Sequence, residues 1–198
     1  MLKPWTLSAL FLISTATATA QAQDSPWLLR GRFVQPDFAY DPNPGGFSVE
    51  QRWMPEVDAS YFLSKNWAAE FSFTALKNQT VFSSGLAIGT FSKLPPTLMA
   101  QYHADRWLGF KPYVGVGITY TKSATITFTN PAIPTILMNN HVWGPALQMG
   151  VDVPLGERWS LNWDIKRSNF RSDITTVGST VDTKINLRVV GVGVGYRF

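Results

Sequence analysis

The sequence predicts an all-β fold: an eight-stranded antiparallel transmembrane β-barrel with short periplasmic turns and long external loops. Three observations predict it. Of the 198 residues, 45% are hydrophobic and 14% aromatic, but only 15% are charged, against roughly 25% in ordinary soluble domains. A two-residue hydrophobic alternation recurs eight times after residue 26, the period of a strand with one apolar face. The connections between these segments alternate between short and long, as in outer-membrane barrels. A mean hydropathy of −0.02 excludes a bundle of membrane helices. The absence of cysteine excludes disulfides and thiolate metal sites. A net charge of +4, scattered along the chain, gives no nucleic-acid footprint.

Residues 1–22 read as a secretory signal peptide. Lys3 supplies the positive start, Trp5 to Ile13 is mostly apolar, and Ala20-Gln21-Ala22 is a small-x-small cleavage site. The apolar run is too short to span a bilayer, which takes roughly 20 residues. Residues 23–198 are then expected to form a single barrel domain.

The eight strands follow in order, the lipid-facing series named first. Trp27, Leu29, Gly31 and Phe33 alternate with Leu28, Arg30, Arg32 and Val34. Val57, Ala59, Tyr61 and Leu63 alternate with Glu56, Asp58, Ser60 and Phe62. Trp67, Ala69, Phe71, Phe73 and Ala75 alternate with Ala68, Glu70, Ser72 and Thr74. Leu98, Ala100 and Tyr102 alternate with Thr97, Met99, Gln101 and His103. Val114, Val116, Ile118 and Tyr120 alternate with Tyr113, Gly115, Gly117 and Thr119. Trp143, Leu147, Met149, Val151 and Val153 alternate with Gly144, Ala146, Gln148, Gly150 and Asp152. Trp159, Leu161, Trp163 and Ile165 alternate with Ser160, Asn162, Asp164 and Lys166. Val190, Val192, Val194, Tyr196 and Phe198 alternate with Gly191, Gly193, Gly195 and Arg197. The long connections are expected at 37–54, 78–93, 122–141 and 168–182.

The tryptophans support this register. Trp27, Trp67, Trp107 and Trp159 fall at periplasmic strand ends, and Trp53 and Trp143 at outer ends. Indole favours the headgroup region, being apolar with one hydrogen-bond donor. A soluble sandwich or lipocalin-like barrel has no reason to place them so. The terminal face ending in Tyr196 and Phe198 resembles the C-terminal signature that the barrel-assembly machinery recognises.

Several segments together resemble the outer membrane protein W family, which includes alkane-uptake proteins. They are Trp27-Leu28-Leu29-Arg30-Gly31, Leu94-Pro95-Pro96-Thr97-Leu98, Phe110-Lys111-Pro112-Tyr113-Val114-Gly115-Val116-Gly117, Gly150-Val151-Asp152, Leu161-Asn162-Trp163-Asp164 and Gly193-Val194-Gly195-Tyr196-Arg197-Phe198. The resemblance implies an outer-membrane location and a channel for small hydrophobic compounds, with release sideways into lipid. One segment departs: where the family often has Pro-Phe-x-His after the third strand, this chain has Ala75-Leu76-Lys77-Asn78.

An eight-stranded barrel is narrow, filled by side chains or holding one small ligand. Inward Gly115, Gly117, Gly144, Ala146, Gly150, Gly191, Gly193 and Gly195 are expected to leave space for a slender apolar molecule. The alternative is that they permit strand coiling or accept a neighbouring aromatic. Inward Arg30, Arg32, Glu56, Asp58, Glu70, Asp152, Asp164, Lys166 and Arg197 are expected to pair as a lumen plug, because an unpaired charge there is costly. The mixed signs argue against a selectivity ring.

The loops are apolar: Val81, Phe82, Leu86, Ile88 and Phe91 in the second, and Ile126, Phe128, Ile133, Ile136, Leu137 and Met138 in the third. They suggest an external funnel. Pro95 and Pro96 before the fourth strand, with Pro145 near the outer end of the sixth, flank Ile118 to Thr121 of the fifth. Since proline cannot donate to the ladder, a side exit near Thr119 is expected.

His103 and His141 lack metal-ligand spacing, and no serine stands in a nucleophile motif with either. Neither enzyme activity, cofactor nor metal is expected. The expected partners are outer-membrane lipid, lipopolysaccharide attracted to Arg52, Lys77, Lys93, Lys122 and Arg171, the assembly machinery and small hydrophobic ligands. The rival reading is a surface structural protein, adhesin or receptor that binds a partner through its loops. An acyl-processing enzyme is a third.

Overall fold

The computed structural model describes residues 25–43, 46–74, 79–91, 94–122, 127–128, 141–176 and 179–198. The predicted signal peptide, Lys77, Lys93, Ile126, Ile133, Ile136, Leu137 and Met138 lie outside them. Twelve strands run through the described residues: β1 (Trp27–Asp41), β2 (Phe47–Val49), β3 (Met54–Phe62), β4 (Trp67–Thr74), β5 (Gln79–Ser83), β6 (Leu86–Phe91), β7 (Thr97–His103), β8 (Lys111–Lys122), β9 (Thr127–Phe128), β10 (His141–Pro154), β11 (Trp159–Thr176) and β12 (Ser179–Arg197). Eight of them close a barrel in the order β1-β12-β11-β10-β8-β7-β4-β3, and β2-β5-β6-β9 form a separate sheet at its outer end. The barrel strands are those the alternation predicts, with the predicted faces. Phe33, Val57, Phe71, Leu98, Val116, Leu147 and Trp163 are exposed, where lipid would stand, while Arg30, Glu70, Gln101 and Gln148 are buried.

The ladder also sets the tilt. Directly paired residues can be followed around the barrel from Trp27 through Tyr61, Ala69, Ala100, Val116, Leu147, Arg167 and Arg188. The path returns to β1 at Asp37, ten residues beyond its start. With ordinary strand spacings, that stagger tilts the strands by about 40° and gives about 2.5 Å of height per residue. On this scale Trp27, Trp67, Trp159 and Tyr196 lie at one height, and Trp53, Tyr120 and Trp143 stand roughly 23–26 Å above them. That separation matches the apolar band of about 25 Å expected between two aromatic girdles. Edge-to-face pairs stiffen the lower girdle: Trp27–Tyr61 at 4.9 Å, Trp67–Tyr102 at 5.2 Å and Trp159–Tyr196 at 4.9 Å.

The periplasmic turns are as short as predicted. Trp107 and Phe110 exchange two backbone hydrogen bonds of 2.9 Å around Leu108 and Gly109, whose φ values are 50° and 88°, a two-residue turn of the kind that suits strand twist. The expected loops at 78–93 and 168–182, by contrast, are largely strand, and half of 37–54 is strand. β1 runs on to Asp41, and β11 and β12 pair continuously to Thr176↔Ser179. The alternation persists there with its polarity reversed: Phe170, Ile185, Leu187 and Val189 are buried in the lumen, while Arg167, Arg171, Lys184 and Arg188 face outward. Near the outer girdle and above it the outer face meets headgroups and water, so the apolar series moves inside.

Candidate functional site

The lumen is stratified along its axis. At the periplasmic end Leu28, Phe62 and Ala68 pack together. His103 lies between Phe62, 4.9 Å away, and Tyr113, against which it stacks at 4.8 Å. The Arg197 guanidinium sits 4.2 Å over the Phe62 ring.

Above this lies the charged plug. Arg30 is fully buried and reaches Asp152 at 2.7 Å, Asp58 at 3.2 Å and Glu70 at 3.3 Å. Arg32 pairs with Asp58 at 2.8 Å and Glu56 at 3.0 Å. Lys166 donates to Glu56 at 2.9 Å and to the Ser72 hydroxyl at 3.1 Å. Neutral groups occupy the remaining acceptors: Gln101 donates to Glu70 at 2.8 Å, Gln148 to Asp164 at 2.7 Å, Asn162 to Asp152 at 2.9 Å and the Tyr113 hydroxyl to Asp164 at 2.9 Å. The β1, β3, β4, β7, β8, β10 and β11 side chains thus meet on the axis. Of the inward charges expected to pair, Arg197 alone stands apart from this plug.

The inward glycines and Ala146 do not leave open volume, contrary to the expectation of a slender path. A Cβ on Gly117 would collide with the Leu98 carbonyl, and one on Gly193 with the Gly31 carbonyl. On Gly144 it would strike the Asn169 carbonyl, and on Gly150 the Tyr113 ring. At Gly115 it would come within 3.0 Å of Gln148 Oε1, at Gly191 within 3.1 Å of a Val34 methyl, and at Gly195 within 2.8 Å of Ser160 Oγ. Ala146 is itself buried. Long lumen side chains and a close-set neighbouring backbone fill what small residues vacate.

A hydroxyl tier covers the plug. Thr119 and Ser168 share a hydrogen bond of 2.8 Å, and Thr74 donates to Glu56 at 3.0 Å. Over that tier the outer lumen turns apolar: Val34, Met54, Leu94, Phe170, Ile185, Leu187 and Val189 form one buried cluster, with Phe38, Tyr40 and Val142 against it. Apart from Val34, this apolar layer lies outside the eight alternating segments expected from the sequence. Its signal was present in the reversed alternation of residues 170–189.

The wall beside this layer is low at one strand. β7 pairs with β4 only up to Thr97↔Ser72 and with β8 only up to Thr97↔Thr119, about 17 Å above the lower girdle. Pro96 and Pro95 continue the chain without N–H donors, the Tyr120 N–H reaches the Pro96 carbonyl at 3.2 Å, and Leu94 turns into the lumen cluster. On the far side of β8 the register passes through Pro145↔Ile118 to Lys122↔His141 without a break. Pro145 therefore does not flank a gap, and Thr119 faces the lumen.

Among the expected funnel residues, Leu86 is exposed at a hairpin tip and Phe82 is half-buried in β5. Phe91 and Phe128 lie in β6 and β9. The outer sheet is tied down by Glu50, which accepts from Arg52 at 2.7 Å and from Thr80 at 3.0 Å. These two bonds hold its carboxyl below the ordinary glutamate range.

Comparison with known proteins places this architecture. Residues 36–198 match the family model described as the OmpW family. An uncharacterised outer-membrane protein, y4mB, from Sinorhizobium fredii is 33% identical across 94% of this chain and 86% of its own length. Outer membrane protein AlkL from Ectopseudomonas oleovorans is 31% identical across 71% of this chain, and the match spans 64% of AlkL, just under two thirds. In structure, AlkL in lipid bilayers superposes with a TM-score of 0.63 at 25% identity, covering 93% of this chain and 96% of that one. OprG from Pseudomonas aeruginosa superposes with a TM-score of 0.67 at 21% identity, covering 88% and 97% respectively, a likeness of fold.

Proposed function

The chain belongs to the OmpW family of outer-membrane barrels, and on that premise we propose that it passes small hydrophobic compounds through the outer membrane and releases them sideways into lipid. One observation carries the reading: an apolar outer lumen rests on a sealed charged plug, beside a wall that is low at β7. An apolar solute gains by leaving water for the Val34–Met54–Phe170 layer. It gains nothing by going deeper, where it would have to displace buried ion pairs. The cheaper route is lateral, past Leu94, Pro95 and Pro96, where few ladder bonds must part. The inward glycines then serve close packing of the plug, and Pro145 has no part in the exit. The apolar loop residues Phe82, Leu86, Phe91, Phe128, Ile136 and Leu137 would gather solute above the barrel.

The test is transfer of radiolabelled octane into vesicles with and without the protein, expected to be several-fold faster with it. Equal rates for octane and for other apolar probes would favour the rival reading, a surface barrel that binds a partner through its loops. The route has its own test. Thr97 and Thr119 face each other with their hydroxyls 3.5 Å apart, so Thr97→Cys with Thr119→Cys can pin the last β7–β8 rung. Oxidation is expected to cut transfer at least five-fold and reduction to restore it. Undiminished transfer in the oxidised protein would place the exit elsewhere.

The same reading takes Tyr196 and Phe198 as the assembly signal. The Phe198 ring is exposed and lies 5.0 Å from Tyr196, and its N–H donates to the Trp27 carbonyl at 3.2 Å. Deleting Phe198 is expected to lower the yield of heat-modifiable barrel in outer-membrane fractions several-fold. Full yield would remove that role. Outer-leaflet lipopolysaccharide completes the set of proposed partners.

A further inference from the structure

We propose that the outward face of the β11–β12 hairpin is a binding site for the phosphorylated headgroup of an outer-leaflet glycolipid. Arg167, Arg188, Arg171 and Lys184 would meet phosphate, and Asn169 and Asn186 sugar hydroxyls. The proposal deepens the lipopolysaccharide part of the preceding reading and rests on it.

The register builds the site. Along this hairpin the outward pairs are Trp163↔Val192 and Ile165↔Val190, then Arg167↔Arg188, Asn169↔Asn186 and Arg171↔Lys184. Two rungs thus set like charges directly opposite each other, an arrangement that destabilises a sheet unless an anion answers it. Their height fits lipid. On the scale of the girdles, Arg167 and Arg188 stand roughly 19 and 22 Å above Trp27, and Arg171 and Lys184 roughly 29 and 32 Å. The array therefore begins just below the outer girdle, where long side chains reach up to it, and continues through the headgroup region.

Within the array Arg188 pairs with Asp37 at 2.8 Å and Arg171 with Asp182 at 2.9 Å. Asp41 stands across β1 from Lys184. Both ion pairs are solvent-exposed, so they contribute little, and a phosphate accepting from two guanidinium groups can replace them. Arg167 has no ion pair or side-chain hydrogen bond among the described residues. Between the charged rungs, Asn169 and Asn186 stand opposite each other, half-buried, and add amide groups at the level of the array. Four cations on two rungs match a headgroup that carries two phosphates on a sugar, where a phospholipid carries one.

The test is a binding titration of the full protein in nanodiscs with bisphosphorylated lipid A, dephosphorylated lipid A and phosphatidylglycerol. Lipid A is expected to bind at least ten-fold tighter than either alternative. Arg167→Gln with Lys184→Gln, two exposed positions outside these two ion pairs, is expected to remove most of that preference. Asn169→Ala with Asn186→Ala should weaken lipid A binding while leaving phosphatidylglycerol unchanged. Lys65→Gln, in a periplasmic turn, is the control and should change nothing. If phosphatidylglycerol binds as tightly as lipid A, the glycolipid assignment falls. If the Arg167/Lys184 variant binds lipid A like the parent, the site falls. Should that double variant fail to fold, Arg167→Gln alone decides by the same criterion. Octane transfer in vesicles without glycolipid is expected to be unaffected in all these variants, so failure here leaves the transport reading standing.

Discussion

Replacing Arg30 with alanine is expected to destabilise the barrel by about 3–5 kcal/mol, the usual consequence of removing one partner from a buried charge network. Asp152, Asp58 and Glu70 all lean on that guanidinium, at 2.7, 3.2 and 3.3 Å, and they would be left facing one another on the axis. The described plug already holds three cations, Arg30, Arg32 and Lys166, against five carboxylates, Glu56, Asp58, Glu70, Asp152 and Asp164. Losing a cation therefore costs more than losing an acid, and Asp58→Asn is expected to be the milder change. Arg30→Lys should fall between, since an ammonium cannot serve several carboxylates with a fixed fork. Urea unfolding in lipid vesicles, followed by tryptophan fluorescence, measures all three. A loss below about 1 kcal/mol for Arg30→Ala would mean that water reaches the plug and carries the charges.

Arginine at Val116 is expected to cost about 2–4 kcal/mol, the midplane penalty for a lipid-facing cation. Val116 is 61% exposed and stands about 12 Å above the lower girdle, half-way between the two aromatic belts. Val153→Arg, at the periplasmic interface, should cost no more than about 1 kcal/mol. Gly117→Ala, the next residue along β8, is expected to fail for a different reason. Its methyl would press on the Leu98 carbonyl and on Met99, so it should loosen the β7–β8 pairing whatever the bilayer. The same unfolding measurement in bilayers of two thicknesses separates the cases: only the Val116→Arg loss should vary with thickness. Equal losses at positions 116 and 153 would overturn the depth assignment.

The strands were legible wherever one face meets lipid and the other a polar lumen, because that contrast writes the period directly into residues such as Trp159 to Lys166. It was not legible near the outer girdle and beyond. From Arg167 to Val189 both the outer and the lumen-facing surroundings change character, the apolar series shifts by one residue, and residues 168–182 read as loop. The charged plug was legible as a composition, both signs on inward positions, and the outcome agrees. Which cation meets which carboxylate was not, since Arg30 and Asp152 are 122 residues apart.

The sequence by itself determined the barrel, its strand number and facing, and the sign of charge on each lumen position, because these follow from a local period of two. Only the tertiary structure decided what the small lumen residues are for. Vacancy at a glycine is a property of its neighbours, and the neighbours of Gly117 and Gly193 are carbonyls of adjacent strands set by a stagger of ten residues. The same stagger gathers Val34, Met54, Leu94 and Phe170 into one layer and carries Arg30 onto Asp152. Each of these depends on strand register around a closed ring, a long-range quantity that no local pattern contains.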